Sequence, residues 1–407
     1  MPLYVSLYAY KCQLTKQPTL DGWERAMRAI TGFIGGALSL TLALAPIAGR
    51  ADDAIVKIGF AAPLTGPSAA DGKEMENAAR LAVEDANSRH PTLKGKAVRF
   101  ELEPQDDQGD PRIASQIAQR FADIGVSGVV GHFNSTCSIA AARTYSAANI
   151  AQVSPSSTSA SYTQQGYKTT FRVVGHDAVA GATLGNYLVD QLKAKRIAII
   201  DDQTDFGRGL ADRVEATLRE RHANVVAHEY VTDKTIDFSA VLTKLRAKNP
   251  DVIVFGGFDA QAAQVVRRMR SLGLTATLVG EGFNNEIFLD LAKGEGEGSL
   301  AVQPGIPFSQ MPGLDFVNRY RTRFGTSLKG FQGPYAYDAA SVIIEAVLKA
   351  QSKDPAKVLA AVADSSIKGA TGPIAFDARG DLASAPYTLY KLEGKDWRDI
   401  DVIRAKQ

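Results

Sequence analysis

Small hydroxyl residues gather in two closely spaced loops, and their placement suits the capture of an anion. Between Val129 and Thr158 the chain reads VVGHFNSTCSIAAARTYSAANIAQVSPSST. An apolar run, Val126 to Val130, ends in Gly131 and the polar loop His132-Phe133-Asn134-Ser135. A helical segment follows, with Ile139, Ala142 and Tyr145 spaced for one apolar face. A second short strand, Asn149 to Val153, then ends in Ser154-Pro155-Ser156-Ser157-Thr158. In a parallel sheet both loops lie at the carboxyl edge, where open α/β folds bind ligands. Free N–H groups at a helix start, together with the helix dipole, favour a carboxylate there. The plainer alternative is N-capping by Ser135 and simple solvation of the serines.

Motifs for covalent or cofactor chemistry are missing. The nearest approach to a dinucleotide fingerprint is Gly125-x-x-Gly128-x-x-Gly131, which lacks the G-x-G core and precedes its strand. There is no P-loop and no G-x-S-x-G elbow. The five histidines are scattered, and no pair has helical metal spacing. The expectation is a protein that binds without catalysing, and that needs neither cofactor nor metal. A net charge of +2 with no lysine or arginine cluster excludes nucleic acid and a membrane surface as expected partners.

The elements that must hold these loops alternate. A strand at Ile55–Phe60 leads through a Gly/Pro/Ser loop to a helix at about Lys73–Ser88. Val98–Leu102 is a second strand, and Asp110-Pro111 starts a helix that runs to about Ile124. After a short strand at Phe171–Val174 a new series begins. Strands at Arg196–Ile200, Asn224–Tyr230, Val252–Phe255 and Thr277–Val279 alternate with helices at Thr183–Lys193, Leu210–Arg221, Phe238–Lys248 and Ala260–Leu272. A strand at Leu300–Val302 follows, then helices at about Phe316–Phe324 and Tyr337–Lys349. Strands at Pro373–Phe376 and Tyr387–Leu392 look like a hairpin turning at Arg379-Gly380. Apolar runs of strand length alternating with helices predict an α/β fold with two doubly wound parallel sheets. At 407 residues, 45% hydrophobic and 22% charged, the chain has ample material for two such cores.

Residues 1–51 read as an N-terminal extension and signal peptide. Arg25 and Arg28 precede an apolar run, Ile30 to Ile47, and then Ala48-Gly49-Arg50-Ala51. Cleavage after Ala51 would leave Asp52 first, and Met27 makes a more ordinary initiator than Met1. Of the two cysteines Cys12 would be lost, so Cys137 would stand alone, without a disulfide.

Taken in order, these motifs resemble the periplasmic branched-chain amino acid binding proteins of ABC importers. The resemblance rests on Gly131-His132-x-x-Ser135-Thr136 and Ser154-Pro155-x-x-Thr158. It is supported by Thr65-Gly66-Pro67, Gln105-Asp106-Asp107, Phe206-Gly207-x-Gly209, Phe255-Gly256-Gly257-Phe258, Gly280-Glu281-Gly282 and Gly372-Pro373-Ile374-x-Phe376. It implies a type I periplasmic-binding-protein fold whose two lobes are joined by three crossings. Lobe one would take residues 52–176 and 305–384, and lobe two residues 177–304 and 385–407. Gly175, Gln303–Gly305 and Leu382–Pro386 would be the hinges. The implied activity is binding an amino acid between the lobes, as a monomer in the periplasm, and delivering it to a membrane permease. An amide, urea, an aromatic or carboxylic acid, or a sensory role are the alternatives.

An α-amino acid needs donors for its carboxylate and an acidic acceptor for its ammonium, each paired once buried. The resemblance places Ser135, Ser156 and Thr158 at the polar end and Glu281 at the ammonium, with Asn134 and Ser157 in the same loops. It makes Phe206, Phe258 and Tyr337 pocket aromatics. Asp71 is a departure, standing where the family has an aromatic facing the ligand. It is expected either to face the ligand or to cap the helix beginning near Lys73. Gly109 and Asn134 stand where some relatives have a disulfide.

Overall fold

The computed structural model describes residues 54–404. The signal-peptide and initiator expectations lie outside these residues. Among the described residues no helix is long and apolar enough to cross a membrane.

The first sheet collects β1 (Ala54–Ala62), the short β2 (Thr92–Leu93), β3 (Lys96–Asp106), β4 (Val129–Gly131), β5 (Gln152–Ser154) and β6 (Thr170–Arg172). Their spatial order is β2-β3-β1-β4-β5-β6, parallel except for the β2–β3 hairpin. Helices α1 (Ala69–Ser88), α2 (Pro111–Ile124), α3 (Ser135–Ala147) and the single turn α4 (Ser161–Gln164) connect these strands. Asp110 caps α2 as its Asp-Pro sequence requires, accepting from the Arg112 N–H at 2.8 Å.

The second series gives α5 (Asp177–Asp190), β7 (Ile197–Asp201), α6 (Asp205–Glu220), β8 (Val225–Tyr230), α7 (Ser239–Lys248), β9 (Val252–Gly256), α8 (Asp259–Ser271), β10 (Thr277–Glu281), α9 (Glu286–Ala292) and β11 (Leu300–Pro304). Then come α10 (Leu314–Phe324), α11 (Gln332–Ala350), α12 (Pro355–Ala363), β12 (Ser366–Lys368), β13 (Pro373–Ala375), β14 (Pro386–Glu393) and β15 (Asp396–Arg404). The second sheet runs β15-β14-β11-β10-β9-β7-β8, parallel among β7 to β11 and antiparallel where β14 and β15 join.

Each sheet carries a core on both faces. In β7, Ile197 and Ile199 pack with α5 and α6, while Ala198 and Ile200 pack with α7 and α8. This follows from the strand's two-residue period in a sheet covered on both sides. In the first sheet, Val56, Ile58 and Phe60 pack with α1 and with Ala339, Ile343 and Val347 of α11. The opposite face closes under Phe121 of α2 and Tyr145 of α3. Because α11 covers the first sheet although it follows β7 to β11, and β14 and β15 then return to the second sheet, the chain passes between lobes three times.

The segments expected as crossings meet. Tyr387 packs its ring over Gly175 and donates to the His176 carbonyl at 3.0 Å. The Gly305 N–H donates to the Pro386 carbonyl at 2.7 Å.

Three expectations change. Helices α1, α5, α6 and α11 begin a turn or more earlier than their apolar stripes indicated, at Ala69, Asp177, Asp205 and Gln332. The C-terminal strands do not form one hairpin, since β13 pairs with β12 and β14 pairs with β11 and β15. Strand β10, expected to end at Val279, runs two residues further, so that Glu281 is its last residue and is buried.

Candidate functional site

A cavity lies between the lobes at the carboxyl ends of both sheets. From the first lobe it is lined by Asp71, Phe133, Ser135, Ser156, Thr158, Phe331 and Gln332. From the second come Phe206, Gly257, Phe258, Asp259, Glu281 and Gly282. The empty space between these residues comes to about 500 Å³, part of it open to solvent.

The anion-binding features meet here. Helix α3 starts at Ser135 after Asn134, whose side chain caps nothing, so the first-turn N–H groups have no side-chain acceptor. The Ser135 hydroxyl accepts from the Ser159 N–H at 3.2 Å, tying the two loops together. The Ser156 hydroxyl donates to the Phe133 carbonyl at 2.6 Å. The Thr158 hydroxyl is buried with no partner.

Across the cavity Glu281 is 3% exposed, and among the described residues neither of its carboxylate oxygens has a hydrogen-bond partner. Burial pushes its carboxyl well above the usual glutamate range, and neighbouring Asp177 pushes it further. Asp177 is equally buried, and neither oxygen is paired. Its carboxyl rises to about 7 through burial, against opposing pulls from Thr158 and the Arg172 guanidinium. Buried acids without cations are costly unless something arrives to pair them.

The second lobe supplies the aromatic walls. Thr204 caps α6 by accepting from the Gly207 N–H at 3.0 Å. Gly207 and Gly256 lie backbone against backbone, so a side chain at either would collide. This close approach of α6 and β9 sets Phe206 beside Phe258, with ring centroids 5.3 Å apart. Phe258 also meets Phe133 of the first lobe at 5.8 Å.

Three expected residues do not reach the cavity. The Tyr337 hydroxyl donates to Asp85 at 2.8 Å and its ring packs on Phe316, within the α1–α10–α11 interface. Ser157 is fully buried behind its loop, its hydroxyl 2.6 Å from that of Ser138. Asn134 lines an adjoining hollow with Gly109, Thr136 and Asp205. Its Oδ1 would lie 3.3 Å from a Cβ placed on Gly109, so the two disulfide-equivalent positions are neighbours. Capping by Asp71 is not what the structure has. Asp71 is the third residue of α1, and its carboxylate accepts no hydrogen bond.

A model of the family described as periplasmic binding protein matches residues 55–396. The chain belongs to the periplasmic binding protein family. A Leu/Ile/Val-binding protein homolog of Brucella suis is 31% identical over 89% of this chain and 96% of its own length. A leucine-, isoleucine-, valine-, threonine- and alanine-binding protein of Pseudomonas aeruginosa is 30% identical over 83% and 89%. Among solved structures, a leucine binding protein of Thermotoga maritima superposes with a TM-score of 0.79 at 25% identity, covering 86% of this chain and 99% of that one.

The loops that line the cavity have a hydrogen-bonded backing. His132 is fully buried, with Nδ1 2.6 Å from an Asp107 oxygen and Nε2 3.2 Å from the Tyr145 hydroxyl. Its carbonyl accepts from the Ser154 hydroxyl at 3.0 Å, joining the first loop to the second. Arg172 is fully buried at the end of β6. It donates to the Ser157 carbonyl at 2.6 Å, Thr163 at 2.8 Å and Asp381 at 2.8 Å. Glu74 accepts from the Lys329 and Gly330 N–H groups at 2.5 and 3.3 Å, holding the turn that carries Phe331 and Gln332.

Sequence reading missed Asp177, Asp259, Phe133, Phe331 and Gln332. Phe133 and Asp259 each adjoin a residue already singled out. Nothing local marked Gln332, which a chain crossing brings to the cavity, or Asp177, which neighbours Glu281 without lining the cavity.

Proposed function

We propose that this protein binds a free α-amino acid between its lobes and hands it to the permease of an ABC importer of the branched-chain type. One observation carries the reading: the buried, wholly unpaired carboxylate of Glu281 facing a cavity that also holds an unpaired Thr158 hydroxyl and an uncapped helix start. A carboxylate and an ammonium on one carbon satisfy both ends together. The N–H groups of α3 with Ser135, Ser156 and Thr158 would hold the carboxylate. Glu281, backed by Asp177, would hold the ammonium. Phe206 and Phe258 would close over the ligand, and Asp71 would face it from α1. The lobes on this reading are residues 52–176 with 305–384, and 177–304 with 385–407, in a periplasmic monomer whose signal peptide has been removed. The relatives named for aliphatic amino acids support the ligand class.

A thermal-shift screen of the twenty amino acids, with acetamide, urea and benzoate beside them, tests the proposal. A ligand at a hundred times its dissociation constant should stabilise the protein by ~2.7 kcal/mol. Stabilisation by an amide, urea or benzoate, with no response to any amino acid, would overturn it.

A further inference from the structure

Three acids line the cavity, Asp71, Asp259 and Glu281, and with their buried neighbours they form two groups. Glu281 lies beside Asp177. Asp71 lies within electrostatic reach of Asp259 and Glu74 instead. The second group joins the two lobes, because Asp71 stands on α1 and Asp259 on the first turn of α8.

No cation is supplied from within: among the described residues no salt bridge reaches Asp71 or Asp259. Asp71 is 6% exposed, and its carboxylate accepts no hydrogen bond. The Asp259 carboxylate accepts from the Asn285 amide and the Ala260 N–H, both at 2.7 Å, which leaves each oxygen capacity for another donor. Gln332, 7% exposed, has an Oε1 with no partner. That atom and an Asp71 oxygen flank the same glycine, Gly330. Acceptors thus gather at one place in a cavity otherwise walled by Phe133, Phe206, Phe258 and Phe331.

An aliphatic side chain closed into this end would leave Asp71 buried and unpaired. A methylene stem that lies along the phenyl walls and ends in a donor would satisfy it, and a cation there would also gain from the ring faces. We infer that the cavity selects an α-amino acid whose side chain ends in a hydrogen-bond donor (ammonium, guanidinium or amide), received by Asp71 of one lobe and Asp259 of the other. The inference rests on the amino-acid reading above. A donor held by both lobes stabilises the closed cleft more than an aliphatic ligand does, so selectivity and closure have the same source.

Calorimetric titration of the purified protein with L-lysine, L-arginine, L-glutamine, L-norleucine and L-leucine decides the matter. At least one of the first three should bind about tenfold or more tightly than norleucine, which lacks a terminal donor. Asp71→Asn should shrink that ratio by about tenfold, with a smaller effect from Asp259→Asn, which tests the same point if the first variant fails to fold. Leucine or norleucine matching all three donor ligands, or a ranking unchanged in both variants, would overturn the inference and leave the amino-acid reading standing. A folded protein that binds no amino acid at all would overturn both.

Discussion

Two sets of buried ionisable side chains, one in each lobe, differ in how they are partnered. Arg172 with Asp381, and His132 with Asp107, are enclosed and fully partnered by the chain itself. Glu281 and Asp177 are just as enclosed and have no partner. The first set lies behind the loops that line the cavity and holds them; in the second, Glu281 faces the cavity and Asp177 backs it. Folding alone cannot favour the second arrangement, since an unpaired buried carboxylate only destabilises. The contrast separates scaffold from site by polar bookkeeping alone.

The comparison breaks if the partnered set proves dispensable. Arg172→Met would leave the buried Asp381 with only the half-exposed Arg379, 3.6 Å away, as a cation, and the Ser157 carbonyl without its donor. It should lower unfolding free energy by ~3–5 kcal/mol in urea titration. A loss below ~1 kcal/mol would mean that the network is not the scaffold. Glu281→Gln should do the reverse. It replaces an unpaired buried carboxyl by a neutral group of the same shape, so the unliganded protein should melt no lower, while amino-acid affinity falls by ~2–5 kcal/mol in calorimetry. An unchanged affinity would remove Glu281 from the site.

The pH dependence of the empty protein sharpens the same point. The Asp177 carboxyl is raised from 3.8 to about 7. A group raised in the folded state binds protons more tightly there than in the unfolded chain. Its stabilising contribution is therefore complete below pH ~4 and is lost as pH rises through about 7. Unliganded protein should melt progressively lower from pH 5 to pH 8, and a saturating amino acid should flatten that slope. A slope unaffected by ligand would separate Asp177 from the binding site. Smaller effects belong to the donors. Ser135→Ala and Thr158→Val should each weaken binding by ~1–3 kcal/mol. Smallest is Lys329→Ala at the cleft's rim, where Lys329 meets Glu286 at 3.1 Å with both side chains about half exposed. It should shift affinity by less than ~1 kcal/mol and vanish at high salt.

Much of the fold was legible because strands covered on both faces write continuous apolar runs, as at Arg196–Ile200, and because Asp-Pro marks a helix start without ambiguity. The same signal at Asp354-Pro355 starts α12, which the apolar pattern alone passed over. Edge elements were harder. In β15, Asp396, Arg398, Asp399 and Asp401 interrupt the apolar pattern, so its pairing with β14 carried no signal. Within the site, Ser135, Ser156 and Thr158 could be found because loop and strand end adjoin in sequence. Tyr337 misled because a helical aromatic faces its own helical neighbours as readily as a pocket. Asp259 and Gln332 could not be joined by eye, since the two lobes bring them together from far apart in the chain.

The late arrival of α11 on the first sheet has a consequence for how the molecule is made. Met75, Ala79 and Val83 of α1 share one cluster with Ala339, Ile343 and Val347 of α11, more than 250 residues further on. A chain emerging from its amino terminus therefore cannot complete its first lobe until nearly all of it exists. The entropy of closing so long a loop must be met before those contacts form. Compaction is deferred, and the early segment stays extended with apolar surface open to helper proteins. For a member of a periplasmic family, slow commitment of this kind lengthens the time in which the chain can still be threaded through a membrane.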